Sequence, residues 1–308
     1  MKNLTRKMIT AGMAATMAAS LGIAANAEEA SYKVGICQLI QHEALDAATQ
    51  GFQDALTEKL GDRVEFDVQN ASGESVNCST IINGFVSDQV DLILANATGA
   101  LQAAVAGTSD IPILGTAVTD YATALDIDDW TGTVGGNVSG TSDCAPLDQQ
   151  AAMILELVPE AKTVGMLYCS AEPNSEYQVN VVTEALKELN PDLEIKNYTF
   201  ADSNDISSVA TSATECDVVY IPTDNTAANN TEAINNVMEP AGVPVIAGEA
   251  GICQGCGIAT LSISYYDLGY TTGEMAYEIL EEGADISTME VQYAPNVTKQ
   301  YMADRCEK

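Results

Sequence analysis

The stretch KVGICQLIQHEALDAATQGFQDALTEKL, Lys33–Leu60, decides the fold. Its first eight residues, Lys33–Ile40, form a nearly unbroken apolar run of strand length. A strand of that kind is buried on both faces, as in a parallel sheet covered by helices. The period then changes. Over His42–Leu60, the residues Leu45, Ala48, Phe52, Ala55 and Leu56 fall on one helical face. Working outward, strands are expected at Val64–Gln69, Val90–Ala95 and Ile111–Leu114, with helices at Ser75–Ser87 and Thr98–Gly107. The second half repeats the rhythm, with strands at Thr163–Tyr168, Leu193–Phe200, Asp217–Ile221 and Val243–Ala247. Its helices are expected at Leu147–Leu157, Tyr177–Leu189, Asp205–Ser212, Asn225–Met238 and Tyr265–Leu280. Such alternation implies an α/β protein of parallel sheets with helices on both faces.

A chain of 308 residues fits two domains. The halves are alike in layout, and the glycine-rich Thr131–Thr141 (TGTVGGNVSGT) between them has the composition of a hinge or a surface loop. Two Rossmann-like lobes facing each other would set the carboxyl ends of their strands around one cleft, where open parallel sheets bind ligands.

Charge removes several functions. With 12 basic against 44 acidic residues the net charge is −32, which repels a phosphate backbone and argues against nucleic acid. The single histidine, His42, leaves little room for a metal site or a Ser-His hydrolase. Lys2, Arg6 and Lys7 precede the uncharged run Met8–Ala25, and Ala25-Asn26-Ala27 fits a signal-peptidase site. Residues 1–27 are therefore expected to be a removed leader, the rest acting in the periplasm or at the cell exterior. No cysteine near that site supports a lipid anchor. Eight cysteines in an exported chain permit disulfides. Cys253-Gln-Gly-Cys256 reads as part of a glycine-rich turn, hence a local disulfide or an inert thiol pair, and Cys37, Cys169 and Cys216 as small buried hydrophobes.

The segments that follow the strands are rich in hydroxyls and amides. They are Gln38–Glu43, Asn96–Thr98, Thr116–Tyr121, Cys169–Ser175, Pro222–Thr226 and Gly248-Glu249. Thr98 and Ser175 suit helix starts, as caps or as carriers of a carboxylate. Tyr121, Tyr168, Tyr177 and Tyr265 could stack on an aromatic ligand or fill cores. There is no phosphate loop, G-x-S-x-G elbow or complete dinucleotide fingerprint.

The segments VGICQLIQHEALDAATQGFQDAL, ANATGALQAA, GTAVTD, NVSGTSD, LYCSAEPNSEYQV, YIPTDNT and SISYYDLGYTTGEMA, in that order between Tyr32 and Leu280, resemble one ABC-transporter substrate-binding family. The resemblance implies a type I periplasmic-binding-protein fold and an amino-acid ligand such as tryptophan, tyrosine or phenylalanine. It also implies delivery to a membrane permease. By resemblance Gln38, His42, Thr98, Thr116, Thr119, Asn174, Ser175, Thr223, Asp224, Asn225 and Glu249 line the cleft. Three crossings of the hinge are then expected, dividing the chain into lobe one (31–140 and 262–292) and lobe two (141–261 and 293–308). Thr98, Thr116 and Thr119 suit the ligand carboxylate. Asp224, with Glu249 in reserve, suits the ammonium, unless Asp224 merely caps the helix at Asn225. No cofactor or metal is expected, and the receptor should act as a monomer. A sugar or nucleoside receptor of the same fold is the alternative, followed by a secreted thiol oxidoreductase built on Cys253 and Cys256.

Overall fold

The protein is described here by a computed structural model covering residues 31–294 and 296–308; the expected leader, residues 1–27, lies outside them. The chain begins with β1 (Tyr32–Gln38), α1 (Glu43–Leu60), β2 (Val64–Asn70), α2 (Ser75–Ser87), β3 (Leu92–Asn96), α3 (Thr98–Gly107), β4 (Ile113–Val118), α4 (Tyr121–Ala124) and β5 (Val138–Ser142). It continues through α5 (Leu147–Leu157), β6 (Thr163–Cys169), α6 (Pro173–Leu189), β7 (Glu194–Phe200), α7 (Ile206–Ala213), β8 (Val218–Ile221), α8 (Asn225–Ala228), α9 (Thr231–Ala241), β9 (Val245–Ala247), α10 (Ala250–Cys256) and β10 (Ala259–Ile263). The last elements are α11 (Tyr265–Glu281), β11 (Gln292–Tyr293), β12 (Val297–Tyr301) and α12 (Ala303–Cys306).

These strands build two six-stranded sheets, ordered β2-β1-β3-β4-β5-β11 and β7-β6-β8-β9-β10-β12. Every pair is parallel except β10 with β12. The chain passes between sheets after β5, after β10 and between β11 and β12, so three connections join two Rossmann-like lobes. In each sheet the order reverses beside the first strand. The carboxyl ends of β1 and β3, and of β6 and β8, are therefore the natural ligand positions.

Burial follows the pattern of the sequence. Strands β3, β4, β8 and β9 are buried along their whole length. Helix α1 buries Leu45, Ala48, Phe52, Ala55 and Leu56, and crosses α11 at close range. A Cβ on Gly269 would stand 1.9 Å from the Ala48 carbonyl oxygen, and one on Gly51 2.1 Å from that of Tyr266, so only glycine allows this approach.

Four expectations change. Thr131–Thr141 is not a plain linker, because Val138–Ser142 is an inner strand of the first sheet and the crossing follows it. Gly140, at φ 147°, lets β5 approach β4 where a Cβ would lie 2.1 Å from the Gly115 carbonyl oxygen. Asn225–Met238 is broken into α8 and α9. Asn229 and Asn230 interrupt it, the Asn230 side-chain Nδ2 donating to the Thr226 carbonyl. The Cys253–Cys256 turn is the helix α10, following β9 directly. Helix α6 starts one turn earlier than expected, with Pro173 at its first position, where no amide donor is needed.

Candidate functional site: an acidic cavity between the lobes

The ends of β1, β4 and β5 meet those of β6, β8 and β9 around a small inner cavity. The first lobe contributes His42, Leu45, Ala117, Thr119 and Tyr265, with Asp143 from the connection after β5. The second contributes Asn174, Thr223, Asp224, Asn225, Ala228 and Glu249. The cavity is tight, about 10 Å³, room for one water-sized sphere. It lies beside a wider cleft of about 430 Å³ with which it shares Asn174 and Asn225. Leu39, Ile40 and Val76 line one side of that cleft, and Ala171, Pro173 and Ala201 the other. The His42 Nε2 and Asn225 Oδ1 atoms lie 3.1 Å apart and link the lobes directly. Burial holds the imidazole below its ordinary pKa, against the opposing pull of Asn225 and the carboxylates of Glu172, Asp46 and Glu43.

Three buried carboxyls face this space, and among the described residues no lysine or arginine lines it. Asp224 is fully committed. Its Oδ2 accepts from the Cys169 amide (2.7 Å) and the Ser175 hydroxyl (2.8 Å), and its Oδ1 from the Ala227 amide (2.7 Å) at the start of α8. Burial, then the neighbouring Glu172, pushes its carboxyl up to about 8 against those donors. Glu249 likewise caps α10, accepting from the Gly251 amide at 2.6 Å and the Ile252 amide at 2.5 Å, and burial pushes it up to about 7. Asp143 differs. Its Oδ2 accepts from the Tyr265 hydroxyl at 2.8 Å, while its Oδ1, equally buried, makes no well-formed hydrogen bond among the described residues. Burial raises its pKa as well, against the Tyr265 and Thr119 hydroxyls and its own backbone amide, which favour the carboxylate. An unpaired buried carboxylate oxygen is costly, and beside two further acids it favours a positively charged partner.

The structure gathers seven of the expected residues at the cavity: His42, Thr119, Asn174, Thr223, Asp224, Asn225 and Glu249. Gln38, Thr98, Thr116 and Ser175 stand behind it. Gln38 is tied to Asp46 and Thr49 under α1. Thr98 opens α3 and is buried. The Thr116 hydroxyl is held among Thr141 and Thr272 inside the first lobe. Ser175 orients Asp224. Gln38 and Thr116 sit on strands whose side chains alternate between faces, and Thr98 and Ser175 on the first turns of helices α3 and α6. Of the four tyrosines only Tyr265 lines the cavity. Tyr121 stacks on Trp130, and Tyr168 and Tyr177 belong to the second lobe's core.

Asp143, Tyr265 and Glu172 complete the site. Glu172 accepts from the amides of Asn225 and Thr226 and from both their side chains, fixing α8. The signal for Asp143 was its position just after a strand that the glycine content concealed. The Cys253 and Cys256 thiols are buried and pushed up to about 12, by burial first, which is the setting of inert rather than reactive cysteines. Among the described residues no cluster of three or more His, Cys, Asp or Glu is arranged to hold a metal ion, and no helix is long and apolar enough to cross a membrane.

Two facing α/β lobes with a polar cavity between them define a solute-binding protein. The sequence profile of the ABC transporter substrate binding proteins matches residues 33–299, and the chain belongs to that family. A tyrosine-binding protein of Clostridioides difficile (strain R20291) is 37% identical over 252 residues, 80% of this chain and 72% of the relative. Among solved structures, an ABC domain from Streptococcus pneumoniae in complex with L-Trp is 29% identical. That alignment covers 90% of this chain and 94% of the other, with a TM-score of 0.85. The ligand-free, open structure of a substrate-binding protein with adhesive properties from Clostridium difficile is 35% identical over the same shares, with a TM-score of 0.68. The fold is thus that of the type I periplasmic binding proteins.

Proposed function

We propose that this protein is the receptor of an ABC importer for an aromatic L-amino acid. One observation carries the reading: the buried Oδ1 of Asp143, without a well-formed hydrogen bond, suits a cationic group of the ligand in a cavity lined by no lysine or arginine among the described residues. The ligand ammonium meets Asp143, with Glu249 and Asp224, raised to about 7 and 8, placed to ionise as it binds. Its carboxylate meets the start of α1, which has His42 at its edge and no side-chain cap. The aromatic side chain points to the 430 Å³ cleft, between Leu39 and Ile40 on one lobe and Pro173 on the other. The tyrosine-binding relative and the L-Trp complex support the ligand class.

The cavity is too small for such a ligand as it stands, so entry requires the lobes to part. The conformation described is read as the closed one. It superposes better on the L-Trp complex than on the open, ligand-free relative, although the latter is closer in sequence. The two bodies divide at the connections after Ser142, after Ile263 and after Tyr293, a residue or two past two of the expected boundaries, where the chain passes between sheets. The protein works as an exported monomer whose leader, residues 1–27, is removed, and it passes its ligand unaltered to the permease.

Thermal unfolding against a panel tests the ligand class. A saturating aromatic amino acid, at about 100 times its Kd, is expected to raise Tm by roughly 5–10 °C. Analogues lacking the ammonium or the carboxylate should shift it far less. A shift with sugars or nucleosides and none with amino acids would overturn the reading.

A further inference from the structure

Cys37 and Cys78 are fully buried in the first lobe's core and come from different elements, the end of β1 and the first turns of α2. Helix α2 turns Cys78, Ile82 and Phe85 inward. The Phe85 ring lies directly over Gly35, so near that a Cβ there would stand 2.6 Å from it. Two residues along β1, on the same face, is Cys37; two turns back along α2, on the same face, is Cys78. The two thiols, both free in this structure, accordingly lie near enough to perturb each other's acidity. Cys169, Cys216 and Cys256 instead turn to non-sulfur partners, the Ala201 carbonyl, the Tyr198 hydroxyl and the Ile252 carbonyl.

We propose that Cys37 and Cys78 are joined by a disulfide bond formed as the chain folds, stapling β1 to α2 beneath the first lobe's wall of the cleft. A disulfide needs the two Cβ atoms about 4 Å apart, a spacing that facing inward positions on a packed strand and helix can reach. The bond sits where it can matter to the site. Leu39 and Ile40 follow Cys37 after one residue, Gln38, and the cleft-lining segment Ser72–Val76 leads into Cys78. These two loops are already linked by the Ala71 amide to the Gln38 carbonyl (2.9 Å) and the Gly73 amide to the Leu39 carbonyl (2.8 Å). A covalent bond behind them fixes the wall on which the ligand side chain rests.

The chemistry is thiol–disulfide exchange with a disulfide oxidant. One protein thiolate attacks an oxidant sulfur and releases the first thiolate. The second protein thiolate then displaces the other, so the protein pair loses two protons and two electrons and one oxidant disulfide becomes two thiols. Because neither sulfur is exposed in the folded protein, exchange takes place before α2 has packed.

The full chain, reduced and unfolded, is refolded in a mixture of reduced and oxidised glutathione. Free thiols are then alkylated and the digest is mapped by mass spectrometry. The expected product carries a peptide containing Cys37 linked to one containing Cys78. The Cys37→Ala/Cys78→Ala variant, which replaces two buried thiols by small apolar groups, should fold and melt roughly 10 °C lower under the same conditions. Native circular dichroism with both cysteines alkylated, either cysteine bonded elsewhere, or an unchanged Tm in the double variant would overturn the proposal. None of these readouts depends on the identity of the ligand.

Discussion

Asp143, Asp224 and Glu249 differ in what their oxygens already do, and that difference separates binding from scaffolding. Glu249 uses both oxygens on the start of α10, and Asp224 uses one on the start of α8 and the other on the Cys169 amide and the Ser175 hydroxyl. In Asp224→Asn the amide can still cap α8, but its nitrogen faces two donors, the Cys169 amide and the Ser175 hydroxyl. The expected loss is of stability, on the order of 1–3 kcal/mol by denaturant unfolding, with ligand affinity changed only a few-fold. A loss of affinity of 10-fold or more with stability intact would return the ammonium to Asp224. Acidity gives a second prediction. Folding raises the carboxyl pKa of Glu249 to about 7 and of Asp224 to about 8. Their contribution to stability is therefore complete below the unfolded values, near 4, and is lost as pH rises towards 8. Tm of the ligand-free protein should fall between pH 5 and pH 8. A bound ammonium favours the ionised acids, so affinity should rise over the same interval and binding near pH 6.5 should release protons, read from titration heats in buffers of different ionisation enthalpy. Constant affinity from pH 5 to 8 would contradict this.

Helix α10 shows how one distant side chain can hold an element whose own composition is poor. It has two internal glycines, Gly251 and Gly255, in seven residues, each weakening a helix. Glu249 satisfies its first amides. The Arg305 guanidinium, from α12, donates to the carbonyls of Cys253, Gln254, Gly255 and Gly257 at its other end. Arg305→Ala should lower Tm by several degrees, with Arg305→Lys recovering little because an ammonium cannot span those carbonyls. Equal melting of all three proteins would show that the cap is not needed. The same helix marks the limit of reading sequence. Long amphipathic runs such as Ser75–Ser87, Thr98–Gly107 and Leu147–Leu157 were legible to the residue, since their periodicity is local. Strand β5 and helix α10 were not, because glycines needed for close packing on Gly115 and Thr231 look like turn signals until those neighbours are in place. The site was legible as strand ends. Which strand-end residues face the cavity was not, because Thr116 and Thr119 lie three residues apart beside an irregularity in the β4/β5 register.

At the scale of the molecule, two lobes joined by three connections permit a hinge closure with little change inside either lobe. The cavity of about 10 Å³ and the direct His42–Asn225 contact describe lobes drawn fully together. Small-angle scattering should therefore show the ligand-free protein populating a larger radius of gyration than the loaded one, once co-purified ligand has been removed by unfolding and refolding. An identical radius in both states would count against the motion. The central claim is that a ligand ammonium neutralises Asp143 at the junction of the lobes, and calorimetric titration of wild type and Asp143→Asn with the same aromatic amino acid tests it most directly. Loss of one charge-assisted hydrogen bond predicts binding roughly 10- to 150-fold weaker in the variant. The variant's stability should be retained, because the amide oxygen can still accept from Tyr265. Equal affinity in a folded Asp143→Asn protein would contradict the account.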